Sequence, residues 1–350
     1  MVAGTQLRYN SHVFRLSKFP PFPQIMRILV TGATGFLGNH VVRSLLADGH
    51  EITAAVRHSS DPRPLSGLQL ERLELDLANV NAISLAVNEV DLVIHAAALI
   101  QVGWTQLEAS RKINVESTRL LATAARRKNI RMVHVSSVDT LAAAKPNAIA
   151  DETHLEPAKP LCSYVVSKRE AEQVLLSEIA QGLDGVIVNP GFMVGPADWK
   201  PSSGKMMLML AKQPVLFFAP AGGCCVVDVR DVAAGIVSAI ERGRKGERYI
   251  LGGENLSYLA LWQRMAKVMQ RRPPVRAMSN TLASVVGRCG DLASRLLRQE
   301  SDVNSAATQF GQMFHWYSSQ KSQQELGYRI SNVDDALADA WDWFKNHDYV

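Results

Sequence analysis

Residues 27–38 read R-I-L-V-T-G-A-T-G-F-L-G, and this stretch decides the fold class of the chain. The apolar run Ile28–Val30 predicts a short buried strand, and apolar residues then recur at helical spacing from Phe36 to Leu46. A strand, a glycine turn and a helix in this order are typical of the dinucleotide-binding half of a doubly wound parallel sheet. The sequence therefore predicts an α/β protein whose sheet begins here.

The three glycines of this stretch have separate predicted roles. Gly32 allows the tight turn, Gly35 lets the backbone approach a pyrophosphate, and Gly38 lets the helix pack closely on the strand. The free N–H groups at the start of the helix then face the phosphates. The residues predicted to bind the dinucleotide at this turn are Gly32, Thr34, Gly35, Phe36, Leu37 and Gly38.

The composition is that of an ordinary globular protein, with 47% hydrophobic and 20% charged residues among 350. This length allows one large domain or two modest ones. No apolar run approaches the roughly 18 residues that span a membrane. The net charge is +5, and the basic runs lie at predicted helix ends, which favours solvated helix ends over a nucleic-acid surface.

The cysteines and the N-terminus bear on the location of the protein. The four cysteines lack the spacing of metal ligands, so no metal site is predicted, and free thiols in a reducing cytoplasm are the simplest interpretation. Residues 1–25 contain no acidic residue and no apolar segment of the kind found in a secretory signal. We predict a disordered or non-native N-terminal extension there, and a cytoplasmic protein.

The end of the predicted second strand, Glu51–Arg57, bears on which nicotinamide cofactor is bound. A carboxylate at this position would bind the adenosine ribose and repel a 2′-phosphate. The chain has Arg57 instead, followed by His58, Ser59 and Ser60, and a guanidinium with hydroxyls nearby suits a 2′-phosphate. NADP(H) is therefore favoured over NAD(H). The alternative is that Arg57 only stacks on adenine, which it can do with either cofactor.

Two more strands are predicted before residue 100. Leu70–Asp76 alternates in polarity, and Asp76 also suits the cap of a helix from Ala78. Asp91–Ala98 is a buried strand, and His95 within it is predicted to be a satisfied core histidine rather than a catalytic base. The small residues that end this strand leave room for the cofactor ribose and phosphates; they are Ala96, Ala97 and Ala98.

The residues that predict catalysis follow the fifth strand, Arg131–Ser137, which ends in two serines. Tyr164 and Lys168 begin an amphipathic helix, and residues four apart share one helical face. A free phenol has a pKa of about 10 and transfers protons poorly at neutral pH. We expect the Lys168 ammonium, together with a cationic oxidised cofactor ring, to lower the pKa of Tyr164 toward working pH.

These motifs together resemble the extended short-chain dehydrogenase/reductase superfamily, of the NAD-dependent epimerase/dehydratase type. They are T-G-A-T-G-F-L-G with its G-x-x-G-x-x-G spacing, the serine pair after the fifth strand, and Y-V-V-S-K. The stretches 224–232 and 247–253 further resemble a bacterial branch related to dihydroflavonol 4-reductase, which includes proteins labelled hopanoid-associated sugar epimerases. The resemblance is strong from about residue 26 to residue 253.

The resemblance implies a catalytic triad of Ser137, Tyr164 and Lys168, with Ser137 preferred over Ser136. Ser137 and Tyr164 would donate to a substrate carbonyl oxygen, the cofactor would deliver hydride to the carbon, and Tyr164 would supply the proton. Lys168 would also hydrogen-bond the nicotinamide ribose. A homodimer through helices that flank the sheet is a further expectation from the resemblance.

The resemblance also implies further cofactor contacts along the chain. The Asp-Leu pair after the third strand would contact adenine, an asparagine would hold the active-site backbone, and a proline-glycine turn would lie beside the nicotinamide. The residues of this chain at those positions are Asp76, Leu77, Asn114, Pro190 and Gly191.

The rest of the chain is predicted to form a smaller, mostly C-terminal substrate-binding region. Its predicted bounds are 191–225 and 253–350, and 226–252 is expected to return to the Rossmann domain of 26–190. The return begins with a predicted strand in the sheet at Cys224–Val232, and Asp231 is expected to cap the next helix.

Within that region, three segments carry specific expectations. The Met- and Phe-rich segment 199–218 is the predicted substrate lid, with core packing of its methionines as the alternative. A helix at 281–297 is interpreted as a lid helix with solvated arginines, or else as an interface or membrane-surface helix. Residues 298–312 are predicted to be a loop.

Three functions fit these patterns. The first is an NADP(H)-dependent reductase of a ketone or aldehyde on a fairly apolar substrate, or a dehydrogenase of the alcohol, like dihydroflavonol 4-reductases or 3-hydroxysteroid dehydrogenases. The second is a nucleotide-sugar epimerase or dehydratase with tightly bound NAD(P), which would need cations for a diphosphate, such as Lys200, Lys205 and Lys212. The third is a non-catalytic cofactor-binding regulator, against which the intact Ser-Tyr-Lys set argues.

Overall fold

The computed structural model describes residues 25–141, 148–155, 162–213, 217–297 and 301–350. Apart from Ile25, the predicted N-terminal extension lies outside the described residues. The strands are β1 (Arg27–Thr31), β2 (Glu51–Val56), β3 (Glu71–Glu74), β4 (Leu92–His95), β5 (Arg131–Val135), β6 (Gly185–Pro190), β7 (Phe192–Val194), β8 (Phe218–Ala219), β9 (Gly223–Asp228), β10 (Arg248–Leu251), β11 (Glu254–Ser257), β12 (Arg276–Ala277) and β13 (Phe314–His315).

The α-helices of the described residues alternate with these strands in the first two thirds of the chain and dominate the last third. They are α1 (Phe36–Ala47), α2 (Val80–Asn88), α3 (Leu107–Ser110), α4 (Ser117–Lys128), α5 (Ser163–Ala180), α6 (Gly204–Lys212), α7 (Val229–Arg242), α8 (Tyr258–Val268), α9 (Asn280–Leu297), α10 (Ser305–Phe310), α11 (Gln320–Leu326) and α12 (Val333–Asn346).

A seven-stranded parallel sheet forms the centre of the molecule and confirms the predicted fold class. Its strand order is β3-β2-β1-β4-β5-β6-β10, and each strand runs parallel to its neighbours. Strands covered by helices on both faces are continuously apolar, as Ile28–Val30 illustrates. Helices α1 and α7 pack on one face of the sheet, and α2, α4 and α5 cover the other.

The strand at Cys224–Val232 was predicted to return to this sheet, and that prediction is wrong. Strand β9 joins a second sheet, where it pairs with β7, β11 and β13. The place beside β6 in the central sheet is taken by β10 instead. The chain thus returns to the central layer through α7 and β10, and β9 belongs to the layer beside it.

The predicted cap of α7 is also wrong. The side chain of Asp228, not of Asp231, accepts the N–H of Arg230 at 2.8 Å. Asp228 has an extended backbone and immediately precedes the helix, as a cap requires. Asp231 lies one turn further on and accepts hydrogen bonds from Ser331.

Met206 and Met207 of the predicted lid pack into the core of the C-terminal part, which is the alternative interpretation, whereas Met209 is exposed. Met207 is buried among residues of α8 and α12, including Met265 and Phe344. The sulfur of Met206 accepts a hydrogen bond from Trp262 Nε1 at 3.0 Å. Residues 214–216 of this segment lie outside the described residues.

Two further expectations concern the end of the chain and the four thiols. The segment 298–312 is not only a loop, because it contains α10. All four cysteines are free, as predicted. Across the described ranges, no helix combines the length and apolarity needed to cross a membrane, and no cluster of three His, Cys, Asp or Glu residues suits a metal ion.

Candidate active site

The turn between β1 and α1 has a backbone that only glycine allows. Gly32 has φ of +72°, and a Cβ atom there would lie 2.6 Å from the backbone nitrogen of Ala97. A Cβ on Gly38 would collide with the carbonyl oxygen of Gly32. Gly32 therefore allows the tight turn and Gly38 the close packing of helix on strand, as predicted for them.

No side chain caps the start of α1. Gly35 is the cap residue, and the first turn carries no acidic group that would repel an anion. Thr34 and Phe36 are half-buried at the turn. Leu37 points into the core of the α1 face, so only its backbone N–H can serve a phosphate.

The predicted adenosine residues lie at the neighbouring strand ends. Arg57 follows β2 directly, its side chain is exposed, and its N–H donates to Ser60 Oγ at 2.9 Å. Asp76 is exposed beyond β3 and accepts the N–H of Ala78 at 2.9 Å. It does not cap the helix, because α2 starts at Val80 and its cap is Asn79.

The end of β4 is held in place by Asn114. This buried amide accepts the N–H of Leu99 at 2.7 Å, donates to the carbonyl of Leu99 at 3.0 Å, and donates to Ser167 Oγ at 2.9 Å. Asn114 lies in a π-helical turn, a feature often found at functional sites. It thus ties the segment after Ala96, Ala97 and Ala98 to the helix of the catalytic residues.

His95 is confirmed as a satisfied core histidine. Its ring lies between Thr31 Oγ1, 2.7 Å from Nδ1, and Thr118 Oγ1, 3.1 Å from Nε2. Burial lowers the pKa of His95 to about 3, with a smaller contribution from the nearby Lys168 charge. The imidazole is neutral at physiological pH and is committed to the core.

The structure brings Ser137, Tyr164 and Lys168 together at the carboxyl ends of β5 and β6. Ser137 follows β5 and is buried, while Tyr164 and Lys168 lie in the first turns of α5. The Lys168 ammonium donates to the carbonyl of Val135 at 2.7 Å. Burial lowers the pKa of Lys168 to about 8, and the charge of Glu172 opposes that shift.

The phenol of Tyr164 does not have the lowered pKa that was predicted. Its pKa is raised well above the usual value, first by burial and then by the negative charge of Asp139. A hydrogen bond with the Ser137 side chain acts in the opposite direction. The predicted lowering requires the oxidised cofactor ring in addition to Lys168, so it stays a prediction for the enzyme with its cofactor bound. Without a cofactor, the site keeps Tyr164 protonated.

Asp139 is a site residue that the sequence analysis missed. Its carboxylate accepts the Ser137 hydroxyl at 3.0 Å, and its own N–H donates to Ser137 Oγ at 3.2 Å. On its other side, His315 Nδ1 from β13 lies 3.3 Å from Asp139 Oδ1. Asp139 is only two residues after Ser137, so the spacing could have indicated it, whereas His315 is more than 170 residues away and left no local signal.

Ser136 has a structural role, in agreement with the preference for Ser137. Its hydroxyl donates to the buried carboxylate of Glu172. Glu172 also accepts hydrogen bonds from Thr140, Asn189 and Arg248 at 2.8 to 3.0 Å. This network was missed too, although its signal was present, because Glu172 is one helical turn after Lys168 on the same face.

The predicted proline-glycine segment lies at the carboxyl end of β6, where the chain passes into the second sheet. Pro190 is the last residue of β6, and the chain continues through Gly191 into β7. A Cβ on Gly191 would lie 2.5 Å from the carbonyl oxygen of Cys225 in β9. Gly191 therefore allows the close passage of the chain from the central sheet to the second sheet.

An apolar cluster beside Tyr164, which we call the wall, is formed by side chains from distant parts of the chain. Val102, Phe310 and Tyr164 pack against one buried cluster, which consists of Cys162, Val165 and Ala306. The Phe310 ring stacks on His315 with centroids 4.1 Å apart. A hydrogen bond from Asn304 Nδ2 to the carbonyl of Val102, 2.8 Å long, joins the two segments of the wall.

Comparison with known proteins decides the family. Residues 28–252 match the model of the NAD dependent epimerase/dehydratase family. The chain belongs to this family. The matched range includes the glycine turn, Ser137 and the Tyr164–Lys168 pair, and it ends at the last strand of the central sheet. The family is one of NAD-dependent enzymes, and its members share the extended short-chain dehydrogenase/reductase architecture.

Individual members of the family align over nearly the whole chain. A protein of Synechocystis sp., provisionally named a dihydroflavonol 4-reductase, is 33% identical over 92% of this chain and 95% of its own length. Sterol demethylase protein B of Methylococcus capsulatus is 32% identical over 93% of this chain and 100% of its own. The crystal structure of gox2253 superposes with a TM-score of 0.80, at 34% identity over 92% of this chain and 99% of the other.

Proposed function

We propose that this family member is an NADP(H)-dependent reductase of a ketone or aldehyde on a fairly apolar substrate. The observation that carries the proposal is the placement of the Tyr164 phenol. It lies beside Ser137, whose side chain opposes the upward shift of the Tyr164 pKa, and it packs in one cluster with the apolar Val102 and Phe310. A proton donor and an oxyanion donor thus face a space with an apolar wall.

The residues present fit a dinucleotide. Gly32 and Gly38 let the backbone of the turn pack closely, and the start of α1 has neither a side-chain cap nor an acidic group in its first turn. Gly32 to Gly38 would hold the pyrophosphate with backbone N–H groups, and Asp76 and Leu77 would border the adenine. Ala96 to Ala98, Asn114, Lys168, Pro190 and Gly191 complete the proposed cofactor set. The bound cofactor supplies hydride for reduction or accepts it for oxidation.

The chain's own residues supply the acid and the oxyanion donor. Ser137 transfers its hydrogen bond from Asp139 to the substrate carbonyl oxygen and stabilises the negative charge that develops there. Tyr164 gives its proton to that oxygen. Lys168, a cation below a pH of about 8, stabilises the tyrosinate that remains. The raised pKa of the free Tyr164 suits the reductive direction, because the phenol enters the reaction protonated.

Asp139 acts in this proposal as a positioning residue for Ser137. Its carboxylate and its N–H both contact Ser137 Oγ, which fixes the serine rotamer before substrate binds. Its negative charge also keeps the phenol of Tyr164 neutral. Preorganised donors of this kind need no rearrangement during the reaction.

The preference for NADP(H) rests on Arg57. Its side chain is exposed at the end of β2, where the adenosine 2′ position would lie. Replacing Arg57 with alanine should weaken NADPH binding roughly tenfold, about 1.4 kcal/mol, and leave NADH binding nearly unchanged. Equal losses for both cofactors would show that Arg57 only stacks on adenine.

One experiment separates the proposed reductase from the other members of its family. The purified protein is incubated with NADPH and with panels of apolar ketones and nucleotide sugars, and both the cofactor absorbance and the products are followed. A reductase consumes one NADPH for each alcohol formed. Isomerised or dehydrated sugar without net cofactor consumption would instead identify an epimerase or dehydratase. A non-catalytic regulator would bind NADPH and turn over neither panel.

The location and assembly of the protein are further parts of the proposal. Four free thiols suit a reducing cytoplasm. A homodimer through helices that flank the central sheet is proposed from the architecture of the superfamily, and light scattering of the purified protein measures it directly.

A further inference from the structure

Helix α9 presents its large apolar side chains to the outside of the molecule. Its buried residues are the small Ala283 and Gly287. The exposed fractions of Val285, Leu292 and Leu296 are 54%, 58% and 76%. At about 100° per residue, one side of this 18-residue helix carries an unbroken apolar face, which we call the α9 face. It consists of Leu282, Val285, Val286, Cys289, Leu292 and Leu296.

Positive charge borders the α9 face. The exposed arginines on the helix and just before it are Arg271, Arg272, Arg276, Arg288 and Arg295. The single acidic residue in 271–297, Asp291, lies on the opposite side of the helix from the α9 face. Its carboxylate accepts the N–H of Ser305 at 2.9 Å. The α9 face thus combines apolar contact area with exposed arginines beside it.

This combination selects a lipid surface over a second copy of the chain. In a two-fold contact through the α9 face, Arg288 and Arg295 of the two copies would come close together, while Asp291, the acidic residue of α9, accepts a hydrogen bond from Ser305 away from that face. Anionic lipid headgroups provide the missing negative charge. We propose that α9 docks the protein on the surface of an anionic bilayer, with the α9 face in the acyl boundary and the arginines among the headgroups.

The α9 face is connected to the active site by direct packing. Gly287 of α9 lies against Ser305 of α10, where an added Cβ would come within 2.8 Å of the Ser305 Cα. Phe310 ends α10 and packs in the same cluster as Tyr164. The docked bilayer therefore lies one helix away from the catalytic phenol. Delivery of a membrane-dissolved substrate to Tyr164 rests on the proposed function, whereas the docking itself does not.

Cys289 provides a direct readout of docking. It lies on the α9 face and is the exposed one of the four free cysteines, since Cys162, Cys224 and Cys225 are buried. The full chain is labelled at Cys289 with a polarity-sensitive dye and mixed with vesicles of phosphatidylcholine, with or without phosphatidylglycerol. Co-sedimentation of the unlabelled chain with the same vesicles gives the partition coefficient.

The expected result is a blue shift and co-sedimentation with the anionic vesicles only, both reversed by high salt. Replacing Arg288 and Arg295 with glutamine should lower the partition coefficient roughly fivefold for each arginine removed. Leu292→Glu combined with Leu296→Glu should abolish binding. Leu85→Glu, at a position 69% exposed on α2, and Arg127→Gln, at the end of α4, are the matched controls and should bind as the parent does.

Three results would overturn the docking proposal. They are equal partition into the two kinds of vesicle, binding that survives the paired Leu292 and Leu296 replacements, and a dimer, measured by light scattering without vesicles, that those replacements dissociate. The last result would identify the α9 face as a contact between copies. The same preparations are also assayed for NADPH-dependent reduction of a water-soluble ketone. Because this assay needs no vesicles, it distinguishes a failure of docking from a failure of the proposed function.

Discussion

The two sides of the proposed cleft are built in different ways. On the cofactor side, the turn after β1 is shaped by backbone, because Gly32 and Gly38 leave no room for side chains. On the substrate side, the wall is shaped by side chains from distant segments, such as Val102 and Phe310. A backbone-built site tolerates few substitutions but serves every family member that binds the same cofactor. A side-chain-built wall can change its substrate without changing the fold.

The largest effect is expected at the cofactor side, from Gly38→Val. The new side chain would collide with the backbone of Gly32 and push α1 away from β1. We expect loss of NADPH binding by more than about 100-fold, or roughly 3 kcal/mol, measured by fluorescence titration. Gly49→Asn is the control, because no atom lies within 4 Å of that position and asparagine tolerates its positive φ. Normal NADPH affinity in Gly38→Val would contradict the claim that close backbone packing shapes the cofactor side.

At the junction of the two sides, Ser137→Ala should lower kcat by roughly 10² to 10³, since it removes an oxyanion donor. Cofactor affinity should stay near that of the parent. Asp139→Asn is the matched comparison, because it keeps an acceptor for the Ser137 hydroxyl, and it should lose less than about tenfold. If Ser136→Ala proves the more damaging serine substitution, the assignment of the two hydroxyls is wrong.

On the substrate side, Phe310→Ala should raise KM for an apolar ketone by roughly 10- to 100-fold, the loss of about 1.5 to 3 kcal/mol of apolar burial. The affinity for NADPH should not change. Phe217→Ala is the control, because Phe217 is exposed in the segment predicted to be the lid. A larger increase in KM at Phe217 than at Phe310 would indicate that the substrate binds against segment 199–218 instead.

A smaller effect concerns the fall of the reaction rate at alkaline pH. Because burial lowers the pKa of Lys168 to about 8, its positive charge is lost as the pH rises through that value. The reduction rate should therefore fall above a pH of about 8. In Lys168→Arg the guanidinium stays charged, so the remaining activity should persist to higher pH. If Lys168→Arg folds normally by circular dichroism and its rate still falls over the same pH range as that of the parent, the fall does not report the loss of charge on Lys168.

The contrast between the two sides also explains what the sequence could predict. The glycine turn, the first five strands along the chain and the Tyr164–Lys168 pair follow from local patterns, because neighbouring residues determine a turn, a strand or a helical face. The sheet position of β9 could not be predicted, since an apolar strand looks alike in either sheet. The stacking of Phe310 on His315 and the contact of His315 with Asp139 join segments that only the folded chain brings together.

The pKa of Tyr164 shows where local reasoning about chemistry reaches its limit. The spacing of Tyr164 and Lys168 suggested a lowered value, yet burial and Asp139 raise it. The direction of such a shift depends on the depth of the cleft and on every charge within a few ångströms. The helical spacing of Tyr164 and Lys168 indicates only one of those charges.

The most direct test of the account is Tyr164→Phe, which removes the phenol hydroxyl and little else. Turnover of the preferred ketone and the dissociation constant of NADPH are measured side by side in the variant and the parent. We predict that kcat falls by roughly 10² to 10⁴ while the NADPH dissociation constant stays within about threefold. Turnover close to that of the parent would contradict the assignment of Tyr164 as the proton donor, and with it the proposed reductase.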